Sequence, residues 1–236
     1  MYNDNQYKRS LNPIDKSLLL SQKDEAGQWR FDDNIAQKFQ TIAQQEIPDY
    51  LRVIALCLRI IAKSEHQQPK IIDVGSALGE TLKQLHQVGY TNLYGVDASA
   101  DMLAQSFNKA TLIHSEQFPE HYAPFDYVIN NWTLHFIHER LAYLKAIKRS
   151  LARGGTLILT DKVSSSAVTH ELYYDMKRAN GVSEAEIKRK SAQIEGILVT
   201  HPLTWYVETL NDLGFKNIEV INANTAFVTF MAVNPS

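Results

Sequence analysis

The stretch IIDVGSALGE, residues 71–80, holds the residue types most able to do chemistry. An apolar run carrying one carboxylate, Asp73, meets Gly75, and Gly79 follows after Ser76, Ala77 and Leu78. A buried strand that breaks into a glycine loop and opens a helix commonly holds a nucleotide, because the free amides of a first helical turn favour negative charge. Three ligands compete for it. A P-loop needs a lysine and a hydroxyl residue after its last glycine, and Glu80 stands there instead. A dinucleotide loop needs a tight second glycine to admit a pyrophosphate, and that glycine is missing. What remains is a nucleoside without phosphates: S-adenosyl-L-methionine, with S-adenosyl-L-homocysteine as the product.

The rest of the chain supplies residues for each part of that molecule. Backbone amides at Gly75, Ser76, Ala77 and Gly79 suit the carboxylate of the amino-acid tail, and Asp73 can position the loop or receive the ammonium. Asp97 lies 22 residues after Gly75, at the end of the next strand. A carboxylate there accepts from both ribose hydroxyls at once. In HSEQF, Glu116 suits the adenine amino group and Gln117 the flank of its ring. NNWTLHF ends the fourth strand and puts Asn131 beside the nucleoside.

The elements that must position these residues alternate along the chain. KIIDV, NLYGVD, ATLIH, FDYVINN and TLILTDK read as strands, separated by the helical patterns ETLKQLHQVG, ADMLAQSF and ERLAYLKAIKRSLARGG, the last capped by its glycine pair. Single helices between strands imply parallel pairing with right-handed crossovers. Two helical patterns between Asp33 and Lys63 precede them, broken at IPDY. Near the end, PLTWYVETLNDLGF reads as a helix. KNIEVINANTAFVTFMAV then reads as a hairpin turning at Asn-Ala-Asn-Thr. In the spacing of the loop, Asp97, Glu116, Asn131 and the closing hairpin the chain resembles the class I methyltransferases, and the expectation is an α/β, doubly wound, seven-stranded Rossmann-like methyltransferase sheet with an antiparallel C-terminal hairpin. Residues 1–32 form an N-terminal arm and residues 33–236 the domain, with a helical insertion over the site at about 165–200.

GQWRFDDNIAQKFQTIAQQEIPDY, NWTLHFI, GGTLILTDK and MKRANGVSEAEI narrow the assignment further. In these segments the chain resembles the carboxy-S-adenosylmethionine synthases, from about Trp29 to Phe215. Those enzymes use S-adenosyl-L-methionine and prephenate to make the cofactor for carboxymethylation of the tRNA wobble uridine. The resemblance implies cofactor contacts by Tyr50, Gly75, Ser76, Ala77, Asp97, Ala98, Glu116, Gln117 and Asn131. It also implies a homodimer. An aromatic ring such as Tyr50 suits a sulfonium as a cation–π partner. Three positions depart from the family pattern. Ser191 stands where the family places an arginine that pairs with the extra carboxylate, and a serine cannot replace a guanidinium fork. His135 stands where the family tends to have glutamine, and GSALG lacks the family's cysteine.

These departures make methyl transfer to a small, possibly anionic, metabolite the leading expectation. Carboxy-S-adenosylmethionine synthesis is the alternative, and a non-catalytic S-adenosyl-L-methionine-binding protein a further one. Methyl transfer needs the acceptor held in line, and a base where the acceptor carries a proton. His135, at the end of the fourth strand, is the candidate base; a structural histidine is the competing reading. Tyr173, Tyr174 and Arg178 of the insertion, with Trp29 of the arm, are candidates for gripping the acceptor. A solvated or dimer-facing helix is the competing reading there, and a solvated face is expected for Lys188, Arg189 and Lys190. No His or Cys pair has metal-ligand spacing, so no metal is expected. A net charge of -2 offers no basic field for a nucleic acid, and one cysteine allows no internal disulfide. With no apolar run of about 20 residues and a polar start, a cytoplasmic protein is expected.

Overall fold

The computed structural model describes residues 38–235, so Trp29 and the N-terminal arm lie outside the described residues. The first elements are α1 (Phe39–Glu46) and α2 (Tyr50–Ile61), joined through Asp49 in a left-handed conformation. There follow β1 (Ile71–Val74), α3 (Glu80–Gln87), β2 (Leu93–Asp97), α4 (Ala100–Ala104), β3 (Thr111–His114) and β4 (Phe125–Asn131). Then come α5 (Arg140–Ser150), β5 (Leu151–Lys162), α6 (Ala167–Ala179), α7 (Glu184–Ile194), α8 (Leu203–Asp212), β6 (Lys216–Asn224) and β7 (Phe227–Val233).

The strands form one seven-stranded sheet in the order β3-β2-β1-β4-β5-β7-β6. The first five run parallel, and β7 is antiparallel to both β5 and β6. All four residues of β1 are buried, as a central parallel strand covered on both faces requires. Its side chains alternate between two cores. Ile71 packs with Val53, Cys57 and Ile61 of α2 and Leu82 and Leu85 of α3. Ile72 and Val74 pack with Leu144 and Ile147 of α5 and Tyr206 and Leu210 of α8. In α2 the buried set Tyr50, Val53, Ile54, Cys57 and Ile61 follows helical spacing, so one stripe covers the sheet.

Two boundaries differ from the sequence reading. The helix expected to run to the glycine pair stops at Ser150, and Leu151 already pairs with Phe125. Gly154 and Gly155 instead lie within β5 and exchange backbone hydrogen bonds with Asn234, whose side-chain amide donates to the Leu151 and Ala152 carbonyls. That ladder outcompetes another helical turn. In the C-terminal hairpin, Asn222 to Asn224 belong to β6 and the turn falls on Thr225 and Ala226. The insertion consists of α6 and α7, hinged at Asn180 to Ser183. Ser183 and Glu186 close a reciprocal capping box at the start of α7. No helix among the described residues is long and apolar enough to cross a membrane.

Candidate active site

In an open parallel sheet, ligands bind outside the carboxyl ends of the strands where the strand order reverses, here between β1 and β4. The glycine loop sits at that point. Gly75 has φ +68°, and a Cβ there would lie 2.0 Å from Thr133 Oγ1, so only glycine fits. Its N–H and that of Ser76 donate to the Val96 carbonyl, which ties the loop to β2. The Ala77 N–H donates to Asp97 Oδ2 at 2.8 Å and the Ser99 N–H to Oδ1 at 2.8 Å. Asp97 thus fixes the loop as well as presenting a carboxylate at the strand end, and with the Gly79 N–H donating to the Ser76 carbonyl the four loop amides expected to meet the tail carboxylate are all engaged within the protein.

Gly79 opens α3 in the left-handed region, with Ser106 Oγ 2.8 Å from where a Cβ would be. Asp73 is buried, and burial pushes its carboxyl up to about 7; a hydrogen bond from Thr81 opposes the rise and the Asp97 charge adds to it. Asp97 is also raised, chiefly by burial, while the amides of Ser99 and Ala77 pull it back.

Tyr50 and Ser76 line one small cleft with Phe39, Gln40, Leu78 and Glu80. The Tyr50 ring lies 4.8 Å from that of Trp132. Asn131 is buried at the end of β4, its amide donating to Cys57 Sγ at 3.5 Å. Its Oδ1, Ser76 Oγ and the Trp132 indole nitrogen are buried without a hydrogen-bond partner. Such orphans are costly unless something else satisfies them. With the Ser76 hydroxyl on the cleft wall, they fit a bound S-adenosyl-L-methionine. Ala98, Glu116 and Gln117 are exposed on the loops after β2 and β3. The larger surface depression, lined by Thr91, Asn92, Lys109 and their neighbours, lies at the opposite, amino-terminal ends of β2 and β3.

Beyond Asn131 the character of the rim changes. His135 is buried in a short turn, and its Nδ1 pairs with Asp161 of β5. The second Asp161 oxygen accepts from the Tyr206 hydroxyl at 2.6 Å. Tyr173 is buried against Ala226 and Phe227, with Trp132 and Tyr174 packed on the same cluster. Lys162 and Lys177 both stand over the Tyr173 ring. Glu46 of α1 accepts from Lys177 and from Lys190, each at 2.8 Å. Burial alone would raise Glu46, but the Lys190 and Lys177 charges outweigh it and hold the carboxyl below its usual range.

The expected acceptor residues separate here. Tyr173 belongs to this cluster, and Tyr174 donates to Ser191 Oγ at 3.3 Å. Arg178 faces away, its guanidinium held on the exposed side by Glu171, Asp175 and Glu184. Lys188 is exposed, whereas Lys190 of the same run turns inward. Among the described residues no three His, Cys, Asp or Glu side chains are grouped to hold a metal ion. Asp161, Lys162, Tyr206 and Glu46 were absent from the sequence reading. The signal for the first two was the charged pair closing the apolar strand TLILTDK.

The methyltransferase-domain family model matches residues 72–159. The chain is 30% identical to the carboxy-S-adenosyl-L-methionine synthase of Helicobacter hepaticus over 233 residues, 90% of this chain and 98% of that protein. It is 31% identical to the synthase of the same name from Campylobacter hominis, over 87% of this chain and 94% of that one. The chain belongs to the carboxy-S-adenosyl-L-methionine synthase family. Solved structures agree on the fold. A S-adenosylmethionine-dependent methyltransferase from Archaeoglobus fulgidus superposes with a TM-score of 0.58 at 15% identity, covering 83% of this chain and 98% of that one. Phosphoethanolamine N-methyltransferase 2 of Haemonchus contortus, solved with S-adenosyl-L-methionine, gives 0.62 at 17%, covering 85% and 58%.

Proposed function

We propose that the chain is an S-adenosyl-L-methionine-dependent transferase that performs the reaction of its family, making carboxy-S-adenosyl-L-methionine with prephenate as the carboxyl source. The observation that carries this reading is the near full-length likeness to the Helicobacter hepaticus synthase, 30% identical over 98% of that protein. The glycine loop, the Asp97 strut and the unpaired Asn131 Oδ1 support the cofactor's part in it. When bound, S-adenosyl-L-methionine supplies a methyl carbon activated by the sulfonium charge. The loop from Gly75 to Ala77, tied to Val96 and Asp97, shapes the cleft; the unpaired Ser76 hydroxyl and the carboxylates of Asp73 and Asp97 would hold the cofactor's polar ends, and Tyr50 offers a ring face to its cation.

A second reading, methyl transfer to a small anion, is favoured by two particular residues. Ser191 offers only a hydroxyl where the family resemblance implies a guanidinium. His135 has Nδ1 engaged by Asp161, an arrangement that orients an imidazole so that its other nitrogen can take a proton from an acceptor.

Mass spectrometry of small molecules released from purified protein, before and after incubation with S-adenosyl-L-methionine and prephenate, decides between them. Carboxy-S-adenosyl-L-methionine, carried over or newly made, supports the first reading. Unconsumed prephenate with only S-adenosyl-L-methionine or S-adenosyl-L-homocysteine released overturns it. The search then turns to methyl acceptors.

A further inference from the structure

The most unusual electrostatic feature of the described residues lies one step beyond the cofactor cleft. Lys162 closes β5, and its Nζ stands 4.6 Å from the centroid of the Tyr173 ring. Lys177 stands 4.7 Å from the same centroid. Lys177 is compensated by Glu46, but Glu46 is shared with Lys190. Two ammonium groups therefore share one carboxylate, and Lys162 stands as a third beside Lys177 on the Tyr173 ring. Lys162 has no carboxylate within ion-pair distance among the described residues, although it is half-buried. An ammonium withdrawn from water beside a second one is costly unless an anion joins them.

The cluster is continuous with the cofactor cleft. Trp132 packs on the Tyr173 cluster, its ring lies 4.8 Å from Tyr50, and Tyr50 lines the cleft with Ser76. Trp132 also holds a left-handed backbone conformation, φ +56°. This is strain of the kind found at ligand clamps, and it turns the chain out of β4 between the two regions. The buried, unpaired indole N–H of Trp132 adds a hydrogen-bond donor on the shared wall.

We propose that Lys162, Lys177 and Tyr173 form a carboxylate-binding subsite for the second substrate, with Lys162 as the free cation that meets it. The proposal deepens the functional reading above and rests on it for the cofactor's place in the neighbouring cleft. The subsite suits a small carboxylate rather than a nucleic-acid backbone, because the surplus charge is confined to one small cluster in a chain of net charge -2.

Burial first, and Lys177 second, lower the Lys162 ammonium to about 8. The other titratable groups facing it are Tyr173 and His170 on α6, and His135 after β4 accepts from its backbone N–H, while Glu46 on α1 and Lys190 on α7 are linked to it only through Lys177. His170 is itself lowered, by burial and then by Lys162, which keeps it from adding charge near neutrality. Anion affinity therefore falls as pH rises through the Lys162 value.

The test is calorimetric titration of prephenate into the full chain saturated with S-adenosyl-L-homocysteine, comparing wild type with Lys162→Met, which keeps the apolar stem. Binding is expected to weaken roughly tenfold in the variant, with S-adenosyl-L-homocysteine affinity unchanged. In the wild type it should weaken by a similar factor between about pH 7 and about pH 9.5. Trace acetylation of the wild type, read at Lys162 by peptide mass spectrometry, gives a check that needs no variant: saturating prephenate should protect that amine. Equal binding by the two proteins, or an unprotected Lys162, overturns the subsite. Prephenate bound at Lys162 without turnover would keep the subsite and remove the synthase reading. Turnover with an unchanged KM in Lys162→Met would do the reverse.

Discussion

The two halves of the carboxyl-terminal rim are built from different materials. Between β1 and β4 the cofactor side is mainly backbone: a glycine loop braced by Asp97, with the buried Asp73 and Asn131 beside it. Past Asn131 the rim is side chains drawn from distant elements, with Glu46 of α1 bridging Lys177 of α6 and Lys190 of α7. A backbone cradle tolerates almost no change of shape at its tightest points, yet several sequences form the same loop. A cradle of charges tolerates changes of shape but fails when one sign is removed. The first kind suits a ligand common to a whole superfamily, the second a ligand that differs between its members.

The sharpest test of the backbone half is Gly75→Ala. The new methyl would sit 2.0 Å from Thr133 Oγ1, on a residue at φ +68°. Clash and strain together are expected to cost more than about 3 kcal/mol, seen as a large drop in thermal midpoint and loss of S-adenosyl-L-methionine binding by calorimetry. Thr133→Ala in the same chain relieves the clash but not the strain, so recovery should be partial; full recovery would mean that the left-handed backbone is not required. The matching test of the charged half is Glu46→Gln. It leaves Lys177 and Lys190 without their carboxylate, and loss of one partner of a buried pair costs about 3 kcal/mol. Denaturant unfolding should report that loss while cofactor affinity, set in the other half, stays within about twofold.

The same division explains what the sequence disclosed. IIDVGSALGE, the aspartate after NLYGV and the asparagine ending FDYVINN are local signals, because a strand end and the loop after it lie next to each other in the chain. They marked the order of elements, and the sheet has the expected seven strands. The charged half left no such mark. Glu46 and Lys190 are 144 residues apart, and nothing in KFQTIAQQE or KRKSAQI announces that they meet. Position on a helix misled as well: Arg178 looked available for an acceptor but is held by three surface carboxylates, while Lys190, in a run read as a solvated face, turns inward. The helix read through to Gly154 and Gly155 failed because Asn234, some 80 residues on, supplies a ladder there.

A smaller effect separates the halves by pH. Burial raises Asp73 to about 7 in the fold, against 3.8 for an ordinary aspartate. Between those values the folded chain holds a proton that the unfolded chain has released, so stability declines as pH rises through the window. From about pH 5 to about pH 7 the decline attributable to this group is roughly 2 kcal/mol. Asp73→Asn should flatten that slope in denaturant titrations, while Lys162→Met should leave it unchanged. An unaltered slope in Asp73→Asn would mean that the carboxyl is better hydrated than its burial implies.

Ser191→Arg has the least effect on stability and the most to say about chemistry. Ser191 is exposed and contributes one 3.3 Å hydrogen bond, accepted from Tyr174. Exchanging it should change stability by no more than about 0.5 kcal/mol, and cofactor affinity on the backbone side should hold. The variant adds the guanidinium that the family resemblance implies, a few residues from a pocket already rich in lysine. A rise in carboxy-S-adenosyl-L-methionine formed from S-adenosyl-L-methionine and prephenate would mean that the wild-type pocket grips the carboxylate through its lysines alone, and less well. An undiminished wild-type rate with no gain from the arginine would mean that the lysine cluster already saturates that role. No product from either protein would mean that the charged half serves a different anion, leaving methyl transfer with His135 as base. The comparison holds only if both proteins bind S-adenosyl-L-homocysteine equally, which the same calorimeter can check before any turnover is measured.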